Sequence, residues 1–327
     1  QHMAEFTPHD AYVDMLLTNI SIAYKNPLYL ASTIFPMVPV KLQTGFVPRY
    51  TQSDWFRNLA MPRGVGARSR RSSFSLDNTM TYACKWASFG VEVPDLVRDN
   101  QMEPYDLDRD ATTFATDKIM MEQELNFVTA AFSASIWGNT DQTGVASGPG
   151  ANQFVQWSNY ASSAPLQDLT SFNDIIEGKI GREANTLTMG KPVWSQLKWH
   201  PDNIDTIKHT QRAMMTPELM GSLLELKRVL VGRGIYTTAA EGTAESSVTY
   251  SRIWGKNALL TYTPDSPGLM LPAAGYTLAW QRVANPLGYI KRMRDEQAEI
   301  DIIEANAFYQ HKVTSANSGL YIASAVA

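Results

Sequence analysis

A single cysteine, Cys84, occurs in the 327 residues. One thiol excludes an intrachain disulfide and a CxxC metal site. No apolar run reaches the roughly 18 residues a transmembrane helix needs, and no secretory signal opens the chain. Excess positive charge is missing too. Lys and Arg number 28 against 32 Asp and Glu, for a net charge of −4. No global basic field is therefore available to draw in nucleic acid. Motifs of catalysis and nucleotide binding are absent: there is no GxSxG, no P-loop and no GxGxxG. Gly64-Val65-Gly66 lacks both the third glycine and the following helix. Internal repeats and low-complexity tracts are also lacking.

What is present suits a globular chain: 44% of residues are hydrophobic and 18% charged. The length admits one large domain or two ordinary ones. The leading Gln1-His2-Met3 reads as a cloning remnant or a processed end, with Met3 a plausible natural start. Against the acidic background, the stretch RGVGARSRR packs Arg63, Arg68, Arg70 and Arg71 into nine positions. Three readings compete for it: a nucleic-acid tail, a phosphate loop, or an arm gripping another protein.

Along the chain, Asp10 reads as the cap of a short helix carrying Tyr12, Leu16 and Ile20. ASTIFPMVPV reads as extended, because proline biases the residue before it away from helix, and as an arm outside the core. FVPRYTQSDWF and FSLDNTMTYACKWASFGVEV are aromatic and β-branched, which predicts a long two-stranded excursion with RGVGARSRR at its tip. DLDRDATTFATDKIMMEQELNFVTAAFSASIW predicts one long amphipathic helix. Its cap is Asp106 or Asp108, and its stripe is Leu107, Ala111, Phe114, Met121, Leu125, Val128 and Phe132. Residues 138 to 163 read as a glycine-rich loop. A helix follows on Leu166, Leu169, Phe172, Ile176 and Ile180, with Ser163 and Pro165 near its start. ANTLTMG predicts a buried strand, KPVWSQLKWH and PDNIDTIKHT two helices, and LKRVLVGRGIYTTAA a strand. SRIWGKNALLTYTP predicts a strand pair or hairpin. This alternation implies an α/β subdomain. From GYTLAW onward the chain reads as strands, with a turn at Asn285-Pro286-Leu287-Gly288 and a one-side-exposed strand in the charge-alternating run IKRMRDEQAEIDIIEANAFYQHKV.

Side chains capable of chemistry mostly carry bland readings. His200 and His209 lie nine positions apart around Pro201, on different helical faces, so surface or capping roles outweigh shared metal ligation. His311 reads as structural. Cys84 beside Lys85 reads as a small packed residue rather than a reactive thiol. Asp295, Glu296, Glu299 and Asp301 read as a solvated or interface face. They are also possible recipients for the arginines of RGVGARSRR, because arginine grips carboxylates bidentately across interfaces.

The order of parts resembles a tailed-bacteriophage major capsid protein of the HK97-type fold. VQWSNYASSAPLQDL, ANTLTMGKPVWSQLKWHPDNIDTIKHT, LKRVLVGRGIYTTAAEGTA and YSRIWGKNALLTY are the stretches that carry the resemblance, which is strongest from about residue 154 to 310. It implies a mixed α+β fold: an N-terminal arm over 1–44, an extended E-loop hairpin over 45–90, and a P-domain with spine helix and connecting loop over 91–163. An α/β A-domain over 164–272 and returning P-domain strands over 273–327 complete it. The implied function is structural, in an icosahedral shell of pentamers and hexamers around double-stranded DNA that is held without sequence-specific contact. Portal and scaffold or cement proteins are the implied partners, with the chain located in the virion after assembly in the host cytoplasm. No cofactor, metal, catalytic residue or membrane is implied. RGVGARSRR becomes the E-loop tip, an intersubunit clamp.

Some relatives cross-link through an E-loop lysine, but no lysine lies between Lys41 and Lys85 here, so no cross-link is expected. If Met3 is the start, a separate scaffold protein is implied; if Gln1 is a cut end, a scaffolding segment was removed. Alternatives from other classes are an encapsulin-like nanocompartment shell, an enzyme built on the α/β subdomain, and a stand-alone nucleic-acid binder using the arginine hairpin.

Overall fold

The computed structural model describes residues 11–13, 28–100, 106–139, 141–207, 215–268, 272–281 and 288–327. Two six-stranded sheets organise them. The first is entered by β1 (Ala11–Val13), the short helix α1 (Ala31–Ile34) and β2 (Met37–Val40). The hairpin follows, with β3 (Thr44–Phe46), β4 (Arg49–Tyr50), the helix α2 (Gln52–Phe56), β5 (Leu76–Asp77) and β6 (Thr81–Ala83). The chain returns to the first sheet through β7 (Lys85–Pro94), then makes α3 (Asp95–Asp99) and the long α4 (Leu107–Ala131).

The second sheet is built from β8 (Gln142–Val145), β9 (Gln153–Val155), β10 (Thr186–Gly190) and β11 (Arg228–Gly232). Between its strands run α5 (Pro165–Ile180), α6 (Lys191–Trp199), α7 (Pro201–Ile207) and α8 (Pro217–Leu223). A small ribbon, β12 (Ile235–Tyr236) with β13 (Ser251–Arg252), precedes β14 (Ala258–Thr261). The strands β15 (Gly275–Trp280), β16 (Tyr289–Asp295) and β17 (Ile300–Val313) complete the first sheet, and β18 (Gly319–Ala323) completes the second.

In the first sheet β17 is the axis. β7 runs antiparallel along one side of it, and β16 and β15 lie end to end along the other. α4 lies across this sheet and buries Ala111, Ala115 and Ile119 against Val93, Ile303, Ala305 and Ala307. A helix of 25 residues is about 37 Å long. Asp106 accepts a hydrogen bond from the Arg109 amide, so the expected cap is in place. The buried face differs from the expected stripe, however. Ala111, Thr112, Ala115, Thr116 and Phe127 face inward, while Phe114 is half exposed. Small side chains let the helix axis approach the sheet closely, which a count of large apolar residues overlooks. The helix also stops at Ala131 rather than reaching Trp137, whose indole Nε1 instead donates to the Ala131 carbonyl.

Residues 28–40 are not an arm outside the core. Ile34 and Phe35 are fully buried, Phe35 stacks edge-on against Phe127, and β2 pairs in parallel with β15. Glu124 fixes this join. Its carboxylate, fully buried on α4, accepts from the Leu30 and Ala31 amides at 2.9 and 2.7 Å and from the Trp254 indole at 2.6 Å. Burial pushes its pKa up against the pull of those donors. Of the short helix expected from Asp10, residues 11–13 are instead a strand on β16. Leu16 and Ile20 lie outside the described residues, as do 285–287 of the expected turn.

The second sheet has the order β11-β10-β14-β18-β8-β9. Every residue of β10 and β14 is buried. Leu169, Phe172, Ile176 and Ile180 of α5 pack with Leu187, Met189, Leu260, Leu320 and Ile322, as the spacing predicts. Ser163 does not cap α5; Ala164 stands at that position without a side-chain bond. Two differences concern membership. The glycine-rich stretch expected to be loop contains β8 and β9, which hydrogen-bond into this sheet as parallel edge strands, and β18 joins it too. SRIWGKNALLTYTP is not a hairpin: β13 pairs with β12, whereas β14 pairs with β10 and β18. Trp254 and Gly255 between them press on the ends of β10 and β11. A Cβ at Gly190 would lie 2.0 Å from the Gly255 carbonyl oxygen, so only glycine fits there.

Candidate functional site

The hairpin is an open ladder. Thr44 to Phe46 pair with Ala83 to Thr81, and Arg49 and Tyr50 pair with Asp77 and Leu76. Its base is pinned by polar contacts. Asp77 accepts from Thr79 and from the Arg49 guanidinium, and these bonds hold its pKa at about 2. Higher up, Asp54 on α2 accepts from the Ser75 amide and hydroxyl at 2.9 and 2.7 Å, which closes the two arms on each other. Those Ser75 bonds lower the Asp54 pKa. Gln52 donates to the Lys179 carbonyl and accepts from Asn317, so α2 leans on the body of its own chain. The expected two-stranded excursion is present, with α2 as an unforeseen insertion.

Beyond Phe56 the excursion has no regular structure before Leu76, apart from a turn closed by the Ala67 amide on the Gly64 carbonyl, with Gly66 at φ +80°. Arg63, Arg68, Arg70 and Arg71 are all exposed here. Arg70 donates to the Met61 sulfur, and none of the four reaches a described carboxylate. Apolar side chains accompany them: Met61 is 67% exposed, Phe74 67% and Trp55 55%. Exposed large apolar groups thus share this stretch with guanidiniums that reach no described carboxylate.

The acidic residues sit at the β16–β17 turn. Asp295 receives the Gln297 and Ala298 amides, and Glu299 turns the chain at φ +52°. Asp295, Glu296 and Glu299 are exposed, and beside them α3 exposes Leu96 and Val97. Asp301 differs. Its side chain is 8% exposed and faces Arg292 at 2.5 Å, Arg98 at 2.8 Å and Arg294 at 3.3 Å. These arginines also reach Asp108 and Asp95, which makes a network across α3, α4, β16 and β17. Burial raises the Asp301 pKa, but the hydrogen bonds from the three arginines overcome this and hold it at about 2. Asp301 is thus occupied within its own chain; the other three acidic residues are exposed, although Glu296 lies 3.7 Å from Arg294.

One constellation escaped the sequence reading. His200 is fully buried, not at the surface, and its Nε2 lies 2.9 Å from Ser163 Oγ, with Asp202 4.0 Å from Nδ1. The set looks like a nucleophile triad, but the hydrogen bonds assign it otherwise. Ser163 donates to the Asn159 carbonyl at 2.7 Å, so it accepts from Nε2–H. Nδ1 then accepts the Asp202 amide at the start of α7, so the expected capping role of His200 is met although the expected surface position is not. This tautomer has no base facing the hydroxyl. Burial lowers the His200 pKa while Asp202 and Asp168 raise it. His209 lies outside the described residues. His311 is buried between Thr277 Oγ1 at 3.0 Å and the Gln123 carbonyl at 3.2 Å. Cys84 is buried, and desolvation pushes its thiol up to about 11, which leaves it inert. Among the described residues no group of three or more His, Cys, Asp or Glu is placed to hold a metal, and no helix is long and apolar enough to cross a membrane.

No protein-family model matches the chain. It is 26% identical over 321 residues to the major capsid protein of Burkholderia phage BcepMu, an alignment covering 95% of both chains. It is also 26% identical over 254 residues to the major capsid protein of Pseudomonas phage JBD67, covering 76% of this chain and 77% of that one. Among solved structures, a phage-related protein from Bordetella bronchiseptica RB50 superposes with a TM-score of 0.73 at 21% identity, covering 96% of this chain and 97% of that one. The mature capsid of bacteriophage PhiM1 matches with a TM-score of 0.54 at 9% identity, covering 99% and 92%.

Proposed function

We infer that this chain, a member of the phage major capsid protein family with the HK97-type fold, is a structural subunit of a phage capsid. The observation that carries this is alignment from end to end: 95% of the chain matches 95% of a phage major capsid protein. The nanocompartment alternative is not favoured, since both curated relatives are phage capsid subunits. An enzymatic role finds no support in the Ser163–His200 pair, whose tautomer is wrong for it.

Within that family reading, the hairpin over 45–90 acts as the E-loop, the first sheet with α4 as the P-domain, and the second sheet as the A-domain. The E-loop tip, with Arg63, Arg68, Arg70 and Arg71, clamps a neighbouring copy. Its recipients are Asp295, Glu296 and Glu299 with the apolar pair Leu96 and Val97, because Asp301 is already engaged in its own chain. Such a contact is heterologous, and repetition closes it into pentamers, hexamers and a shell. Portal and scaffold or cement proteins complete the particle, which encloses double-stranded DNA in the virion after assembly in the host cytoplasm.

Negative-stain electron microscopy of the purified chain tests this. Closed shells or five- and six-membered rings are expected for the wild type, and their loss is expected when the four tip arginines become Ala. A uniform monomer under all salts, even with scaffold supplied, overturns the reading. Because no lysine lies between Lys41 and Lys85, denaturing gels of mature shells should show intact single subunits; covalent ladders would contradict it.

A further inference from the structure

A second cationic surface lies far along the sequence from the hairpin, and the clamp does not use it. The parallel strands β10 and β11 end in register at Gly190 and Gly232. The next residues are Lys191, which opens α6, and Arg233. Parallel neighbours are about 4.8 Å apart, so these two cations leave the sheet side by side. Arg252 is added by the ribbon, where it pairs with Ile235, two residues beyond Arg233. Lys198 lies two turns along α6 from Lys191, on the same face. Arg233 and Arg252 are exposed and the two lysines half-buried. None of the four forms an ion pair with a described carboxylate. The amides opening α6 have no side-chain cap either, which adds partial positive charge at the same end. Beside Lys198, whose ammonium sits 5.5 Å from its ring centroid, Trp199 is 61% exposed.

Four like charges held close by rigid elements repel one another. Burial lowers the Lys191 pKa, and Arg233, Lys198 and Arg252 lower it further. On a chain whose net charge is −4, such a local excess attracts anions and is relieved when an anion of matching extent covers it. Lys191 and Lys198 stand about 10 Å apart along α6, with Arg233 and Arg252 near Lys191, a spread that suits several phosphates better than a single carboxylate.

We propose that the face formed by Lys191, Lys198, Arg233 and Arg252 binds the phosphate backbone of double-stranded DNA without reading its sequence. The proposal deepens the capsid reading, which supplies the DNA, yet the two fail separately. Shells that form but whose subunits ignore DNA sink only this one.

The test is fluorescence anisotropy of a labelled random-sequence duplex against the unassembled chain, across a salt series. Four phosphate contacts give a log–log slope of about −3.6, or roughly a hundredfold loss of affinity between 50 and 200 mM salt. The variant K191Q/K198Q/R233Q/R252Q should lose most of that slope at an unchanged melting temperature. The variant with Arg63, Arg68, Arg70 and Arg71 changed to Gln should keep it. An unchanged slope in the first variant overturns the proposal. So does a polyglutamate peptide that competes as well as duplex of equal charge, or loss of shells by the first variant with its DNA binding intact. Either of those last two results would make the face a contact for acidic protein segments.

Discussion

The strand β10 and the tip of the hairpin are opposite uses of sequence. In β10 every side chain is buried, and the strand lies between β11 and β14 in the middle of a core. In the tip, apolar side chains as large as Phe74 and Met61 stand mostly in water, and four arginines reach no described carboxylate. Burial of apolar surface contributes roughly 25 cal/mol per Å², so the first region stabilises the subunit by itself. The second leaves most of its apolar surface in water. On the proposed reading the chain divides into a body that folds by its own contacts and an arm that gains its energy on association.

That division can be attacked from both ends. The largest effect belongs to the body: Leu187→Ala, in the middle of β10, should cost about 4 kcal/mol in urea unfolding of the subunit. A value near zero would mean the second sheet is not the core. The next is a pH effect, also inside the body. Burial holds His311 neutral down to about 4 despite its bond to the Gln123 carbonyl. The folded pKa lies below the unfolded value near 6.5, so the unfolded state binds the proton first. Stability is then complete above about pH 6.5 and falls by roughly 3 kcal/mol as the pH drops through the window to 4. His311→Gln should flatten the unfolding free energy across that window. The smallest effect belongs to the arm. Changing Arg63, Arg68, Arg70 and Arg71 to Ala should move subunit stability by no more than about 0.5 kcal/mol, although assembly is abolished. A clear destabilisation would show that the tip is part of the fold after all.

Legibility in the sequence followed the same line. The long helix with its Asp106 cap, the buried ANTLTMG strand and the excursion around RGVGARSRR were readable, because strong periodicity, capping and alternation are local signals. The face of α4 was misread because Ala111, Ala115, Thr112 and Thr116 bury closely against the sheet, while Phe114 does not need to. The strands β8 and β9 were missed because short parallel edge strands carry no alternation and sit among turn glycines. Of the acidic face, the sequence showed four carboxylates but not that Arg98, far upstream, neutralises one of them. Glu124 and the Ser163–His200 bond had no signal at all. A glutamate in an amphipathic helix looks solvated until residues 28–35 are known to fold over it.

The position of β18 has a consequence for synthesis. It lies between β14 and β8 in the middle of the second sheet, yet it follows every other strand of that sheet in sequence. Likewise β2 waits for β15, made most of a chain later. Neither sheet can close on a nascent polypeptide, so pairing is dominated by distant partners and folding is slow. A subunit cut short before Gly319 would present open edges on β14 and β8 and a divided core. The second sheet is therefore whole only once β18 has joined its two partners, which ties the firmness of the body to residues far along the sequence from most of the sheet.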